Sequence, residues 1–134
     1  RFELSCTLQG LSEGVNTLAV SPDRLYLLSG CNDGQIFIWN ILTREILQDI
    51  DCAFNGQISC SVWMDTTRSF VFGCGDGSVH LYRWLATRGC YIYIMQEKSH
   101  GDAVQCIAYD PLHKCLASIS KTSLQIWMIL DSSK

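Results

Sequence analysis

Three segments of this chain repeat one pattern at intervals of 43 and 46 residues. They are residues 15–40 (VNTLAVSPDRLYLLSGCNDGQIFIWN), 58–83 (ISCSVWMDTTRSFVFGCGDGSVHLYR) and 104–128 (VQCIAYDPLHKCLASISKTSLQIWM). Val15 precedes Trp39 by 24 positions, Ile58 precedes Tyr82 by 24, and Val104 precedes Trp127 by 23. A shared period of that length marks a supersecondary unit that cannot bury its own apolar faces and must stack on copies of itself.

Each unit reads as three short strands followed by a fourth. In the first, residues 15–21 carry apolar residues and Ser21-Pro22-Asp23 makes a turn, with Pro pre-setting φ. Residues 25–31 form a second strand dense in Leu and Tyr, and Asn32-Asp33-Gly34 supplies a tight hairpin. Residues 35–41 alternate into Trp39, and residues 45–52 make a more polar fourth strand. The second unit repeats this course, with turns at residues 64–68 and at Gly75-Asp76-Gly77 and a fourth strand over residues 90–96. Residues 2–8 alternate as a further strand in the fourth-strand position of a preceding unit. The count is twelve strands, and the runs between Gly, Pro, Asp and Ser leave no window for an amphipathic helix. The expectation is an all-β chain.

With 48% hydrophobic and 17% charged residues, 134 residues can supply a core. The net charge of −3, with Lys and Arg never adjacent, argues against nucleic acid and anionic lipid as partners. No apolar stretch approaches the ~18 residues of a membrane span. A start at Arg1-Phe2-Glu3-Leu4 resembles neither a signal peptide nor an initiating Met, and suggests a piece of something longer. Eight cysteines include no C-x-x-C pair to set a zinc site. Cys31 and Cys74 share one repeat position, and Cys60 and Cys106 another. Placement by the repeat reads as small buried hydrophobes, reduced, in a cytoplasmic or nuclear protein.

Candidate chemistry is sparse. Gly73-Cys74-Gly75-Asp76-Gly77-Ser78 looks like a phosphate-cradling loop, but VHLYRW behind it is a strand and not the helix such a loop needs. His80, His100 and His113 lack any spacing that joins two of them in one site, and Asp33 and Asp76 read as turn residues. Trp39, Trp63, Trp84 and Trp127 read as packing, not as a cage for a cation. No catalytic residue, metal site or cofactor is expected.

The residues resemble the WD-repeat β-propeller family over almost the whole chain. SPDRLYLLSGCNDGQIFIWN, residues 21–40, follows the family pattern L-x-S-G-S-x-D-G-x-I-x-I-W-D, and LASISKTSLQIW, residues 116–127, follows it more loosely. The resemblance implies about three four-stranded antiparallel blades of an incomplete ring, since propellers close at four to eight blades. Its repeats fall near residues 10–52, 53–97 and 98–130, with 1–9 as the outer strand of a preceding blade. It also implies a structural set linking a His, a strand Ser, a hairpin Asp and a Trp. Here that set is Ser29, Asp33 and Trp39 in the first repeat, Asp76 and Tyr82 in the second, and His100, Ser118 and Trp127 in the third. His100 is expected to bond between blades.

As function, the resemblance implies a non-catalytic scaffold for protein or peptide partners, completed by further blades from a longer chain or another copy. Family contacts often fall on the narrower top face. Matched onto this chain, those positions are Gly14, Asn16 and Asn32, then Gln57, Ser59 and Gly75, then Ala103, Gln105 and Ser120. The alternatives are an enzyme using the channel mouth, and a truncated repeat fragment with no independent role.

Overall fold

The computed structural model describes residues 1–11, 14–64, 66 and 68–130. Three antiparallel sheets follow one another along the chain. The first runs β1 (Val15–Val20), β2 (Tyr26–Cys31), β3 (Gln35–Asn40), β4 (Ile46–Asp51). The second runs β5 (Ile58–Trp63), β6 (Ser69–Cys74), β7 (Ser78–Leu85), β8 (Cys90–Lys98), and the third β9 (Cys106–Asp110), β10 (Cys115–Ile119), β11 (Leu124–Met128). Each sheet is a meander, so every connection is a hairpin or a short loop, as the punctuation by Gly, Asp and Pro dictates. One three-residue 3-10 turn, Ala53–Asn55, links the first two sheets.

One expectation is corrected: residues 2–8 form no strand, which leaves eleven strands among the described residues, three of them in the third sheet. The period-two alternation in residues 2–8 is real, but a strand exists only where a ladder supplies hydrogen-bond partners. No described strand offers such a ladder to residues 2–8, and Phe2 and Leu4 stand exposed. Residues 12, 13, 65, 67 and 131–134, which include parts of an expected turn and of the polar tail, lie outside the described residues.

Alternation along the strands builds two cores, one per sheet–sheet interface. Leu28, Ile36, Ile38 and Ile50 of the first sheet meet Trp63, Phe70, Phe72 and Tyr91 of the second. On the opposite face of the second sheet, Cys60, Met64 and Val71 meet Val104, Ile107 and Leu116. The central strand β6 is buried at every position because it packs on both faces.

Glycine sets how closely the sheets approach. A Cβ on Gly30 would lie 2.4 Å from Cγ2 of Ile58, and one on Gly73 would lie 2.7 Å from Cβ of Val104. Gly30 and Gly73 occupy the same register, opposite Thr17 and Cys60, and Ile58 and Val104 are themselves repeat equivalents. Each interface is thus a branched side chain seated on a bare backbone.

Candidate partner-binding face

The β2–β3 and β6–β7 hairpins and the loops that enter β1, β5 and β9 lie at one end of the sheets. The nine sequence-predicted contact positions fall on this end in three groups. Asn32 N–H donates to the Gly14 carbonyl at 2.8 Å, and Asn16 Nδ2 donates to Asn32 Oδ1 at 2.9 Å. One repeat on, Gly75 N–H donates to the Gln57 carbonyl at 2.8 Å, and in the third repeat Gln105 N–H donates to the Ile119 carbonyl at 2.7 Å.

Two of these residues also stitch neighbouring blades together. Asn16 Nδ2 reaches the Ile58 carbonyl at 3.1 Å, and Ser59 Oγ donates to the carbonyls of Gly73 and Val104. Asn32, Gln57 and Gln105 keep exposed side chains, whereas Ser59, Gly75 and Ala103 are half-buried. Ser120 is buried, with its hydroxyl 3.2 Å from that of Ser123. The nine positions include no aromatic or arginine of the kind that dominates tight interfaces, but Phe54, 99% exposed on the 3-10 turn that leads into β5, stands at the same end.

Beneath it, each sheet carries a buried polar set. In the first, Trp39 Nε1 donates to Ser29 Oγ at 3.0 Å, and Asp33 Oδ1 accepts the Gln35 N–H at 3.1 Å to close the hairpin. In the third, Trp127 Nε1 donates to Ser118 Oγ at 2.9 Å, and Ser118 Oγ lies 2.8 Å from Nε2 of His100. Ser123 Oγ completes that set, 2.9 Å from Nδ1 of His100. The His100 side chain therefore bonds within its own blade. The bond between blades comes from its backbone N–H, which donates to the Gly77 carbonyl at 3.3 Å.

The second sheet solves the same problem differently. Tyr82 takes the Trp place and stacks on Phe70, with centroids 5.7 Å apart and planes 1° apart. Asp76 accepts from Ser78 N–H at 3.0 Å, from Ser78 Oγ and from Asn55 Nδ2 at 2.9 Å. Ser78 Oγ is in turn 2.8 Å from Nε2 of the buried His80, whose ring stacks on Phe72 at 4.8 Å. Burial raises the pKa of Asp76, but the bonds from Ser78 and Asn55 outweigh it and hold the carboxyl below its ordinary value. Burial pushes the His80 imidazole below its usual value, against the pull of the Asp76 charge.

An Asp, a Ser and a His in one hydrogen-bonded row invite comparison with a hydrolytic triad, and the protons run the wrong way for one. The single hydroxyl proton of Ser78 goes to Asp76, so His80 donates to Ser78 instead of accepting from it. Ser78 is also fully buried. The row braces the β6–β7 hairpin.

Sequence reasoning placed Asp76 and missed Ser78, His80, Asn55 and Ser123. The available signal was the alternation Ser78, His80, Tyr82, which sets all three on one face of β7. Of the cysteines, all eight are free, and burial raises Cys60 to about 11 and Cys74 to about 12, which leaves both as unreactive thiols. Among the described residues no three His, Cys, Asp or Glu side chains gather to hold a metal ion, and no helix is long and apolar enough to cross a membrane.

Residues 2–40 match the model of the WD domain, G-beta repeat. The chain is 35% identical over 77 residues to Protein ALTERED SEED GERMINATION 2 of Arabidopsis thaliana, covering 56% of this chain and 10% of that one. It is 30% identical over 128 residues to the guanine nucleotide-binding protein subunit beta of Arabidopsis thaliana, covering 78% of this chain and 33% of that one. The crystal structure of the RRP9 WD40 repeats superposes with a TM-score of 0.81 at 20% identity, over 91% of this chain and 37% of that one. The chain thus spans a tenth to a third of the length of these curated relatives. Residues 2–40 thus carry a WD repeat in sequence, and the fold of nearly all of the chain is that of WD40-repeat propeller blades.

Proposed function

We propose that this chain is part of a non-catalytic scaffold that binds protein or peptide partners at the end of the blades carrying Asn32, Gln57 and Gln105. The observation that supports it is the threefold repetition of exposed polar side chains at one end of rigid, mutually braced sheets. Rigid strands fix the position of the loops, and the loops vary freely, which suits recognition. Relatives named as a G-protein beta subunit and as the small ribosomal subunit protein RACK1 are subunits of larger assemblies by their names, in keeping with this reading. Further blades, from a longer chain or another copy, complete the ring. A cytoplasmic or nuclear setting, with neither nucleic acid nor membrane as partner, accompanies the proposal.

The test substitutes Asn32→Lys, Gln57→Glu and Gln105→Lys together, with Arg24→Glu and Thr43→Glu at the opposite end as the control. Proteins retained by the wild-type chain and the control, and lost by the triple variant with an unchanged melting curve, support the face. Equal retention by all three removes it.

A further inference from the structure

We infer that the outward face of the third blade mates with a blade that begins its inner strand with a small residue, and not with a second copy of this chain. The inference rests on the ring-completion reading above and narrows it.

The two interfaces inside the molecule share one size code. In the face each blade offers to its successor, β2 presents Leu28 and Gly30, and β6 presents Val71 and Gly73. The large residue packs into the core and the glycine receives the branched residue that opens the next blade, Ile58 or Val104. At both glycines even a single added carbon would sit within 3 Å of that residue.

The third blade inverts the code. Ala117 and Ile119 take the places of the large residue and the glycine. Ile119 pairs with Cys106 on β9 and Leu124 on β11, as Gly30 pairs with Thr17 and Ile36, and Gly73 with Cys60 and Val79. Its side chain projects from the uncovered face and is 39% exposed, beside exposed Leu124 and Ile126. The residue a copy of this chain would bring to that spot is Val15, the repeat equivalent of Ile58 and Val104, itself 42% exposed. Val15 and Ile119 are both protrusions. Packed interfaces tolerate neither overlap nor void, so two protrusions at one seat hold the sheets apart. A blade that opens with Gly or Ala, and carries bulk opposite Ala117, fits without displacement.

Reversing either protrusion should make the chain complementary to itself. The experiment compares sedimentation of the wild-type chain, Ile119→Gly, Val15→Gly and the double variant over a concentration series, with circular dichroism to confirm the fold. Each single variant is expected to self-associate about tenfold or more tightly than the wild type, and the double variant, with a void at the seat, to fall back. Because the two single changes lie on different blades, folding of either one suffices for the comparison. Wild-type association as tight as that of the single variants, or four equal constants, overturns the inference. Neither result bears on partner capture by the exposed loops, which is measured separately.

Discussion

Ser123 Oγ stands 2.9 Å from Nδ1 of His100, at the ring nitrogen that points away from Ser118. The resemblance assigns a hairpin Asp to the buried set, and the third hairpin has none. A serine two residues beyond Lys121 closes the set without a charge. Ser118 then carries the most, because its hydroxyl meets both Trp127 Nε1 and His100 Nε2 and is buried. Ser118→Ala leaves two polar groups unpaired and is expected to cost about 2–4 kcal/mol, against about 1–2 kcal/mol for Ser29→Ala, which orphans only Trp39 Nε1. Denaturant midpoints of the two variants measured side by side check the order. Equal losses would show that His100 does not depend on Ser118.

The hairpin aspartates should differ in the same way. Asp33 accepts the turn N–H of Gln35, whereas Asp76 holds Ser78 twice and Asn55 once. Asp33→Ala is expected to cost about 1–2 kcal/mol and Asp76→Ala about 2–4 kcal/mol. Asp76 carries a lowered folded pKa, so its share of stability is present above the unfolded value of about 4 and is lost as pH falls through the folded one. Acid titration of the melting temperature, wild type against Asp76→Asn, reads that share directly.

How much of this was legible in advance follows from which forces are local. Strand positions and hairpins came from alternation and from Asp-Gly pairs, which act within a few residues, and β1, β2, β3, β4 and β8 each begin within one residue of the expected start. Residues 2–8 misled because alternation describes which side chains share a face and says nothing about whether a neighbouring strand exists. His80 was passed over because a histidine at a third-strand position looks solvent-facing until Phe72, which replaces the serine of the other blades, is seen stacked on it. Ser123 was hidden by the shortened third turn. The seat of Ile58 on Gly30 needs two blades in space before the glycine has a reason.

That seat supplies the next prediction. Gly30→Ala and Gly73→Ala each drive a methyl group into a neighbouring blade and are expected to cost about 1–3 kcal/mol by overpacking. Gly101→Ala is the control, since nothing lies within 4 Å of its Cβ position, and it is expected to stay within about 0.5 kcal/mol of the wild type. Thermal melts decide it. A neutral Gly73→Ala would mean that the second and third blades slide apart without loss, and that Val104 is not held where its backbone N–H meets the Cys74 carbonyl.

The last prediction concerns acid sensitivity above the carboxylate range. His80 is 2% exposed, stacked on Phe72 and bonded to Ser78, and burial holds its pKa below the ordinary value of 6.5. The folded chain therefore refuses a proton that the unfolded chain accepts. With more protons bound in the unfolded state, stability rises with pH, so the full contribution is present above about 6.5 and drains as pH falls below it. One proton sets an upper slope of about 1.4 kcal/mol per pH unit, and the nearby Asp76 charge, which favours the imidazolium, softens it. Denaturant unfolding at a series of pH values between 7 and 5 should show this decline in the wild type. His80→Gln keeps a polar side chain that does not titrate, and it should lower stability at pH 7 while flattening the slope between 7 and 5. A variant that lost stability equally at every pH would show that the acid-sensitive proton is taken up elsewhere in the chain.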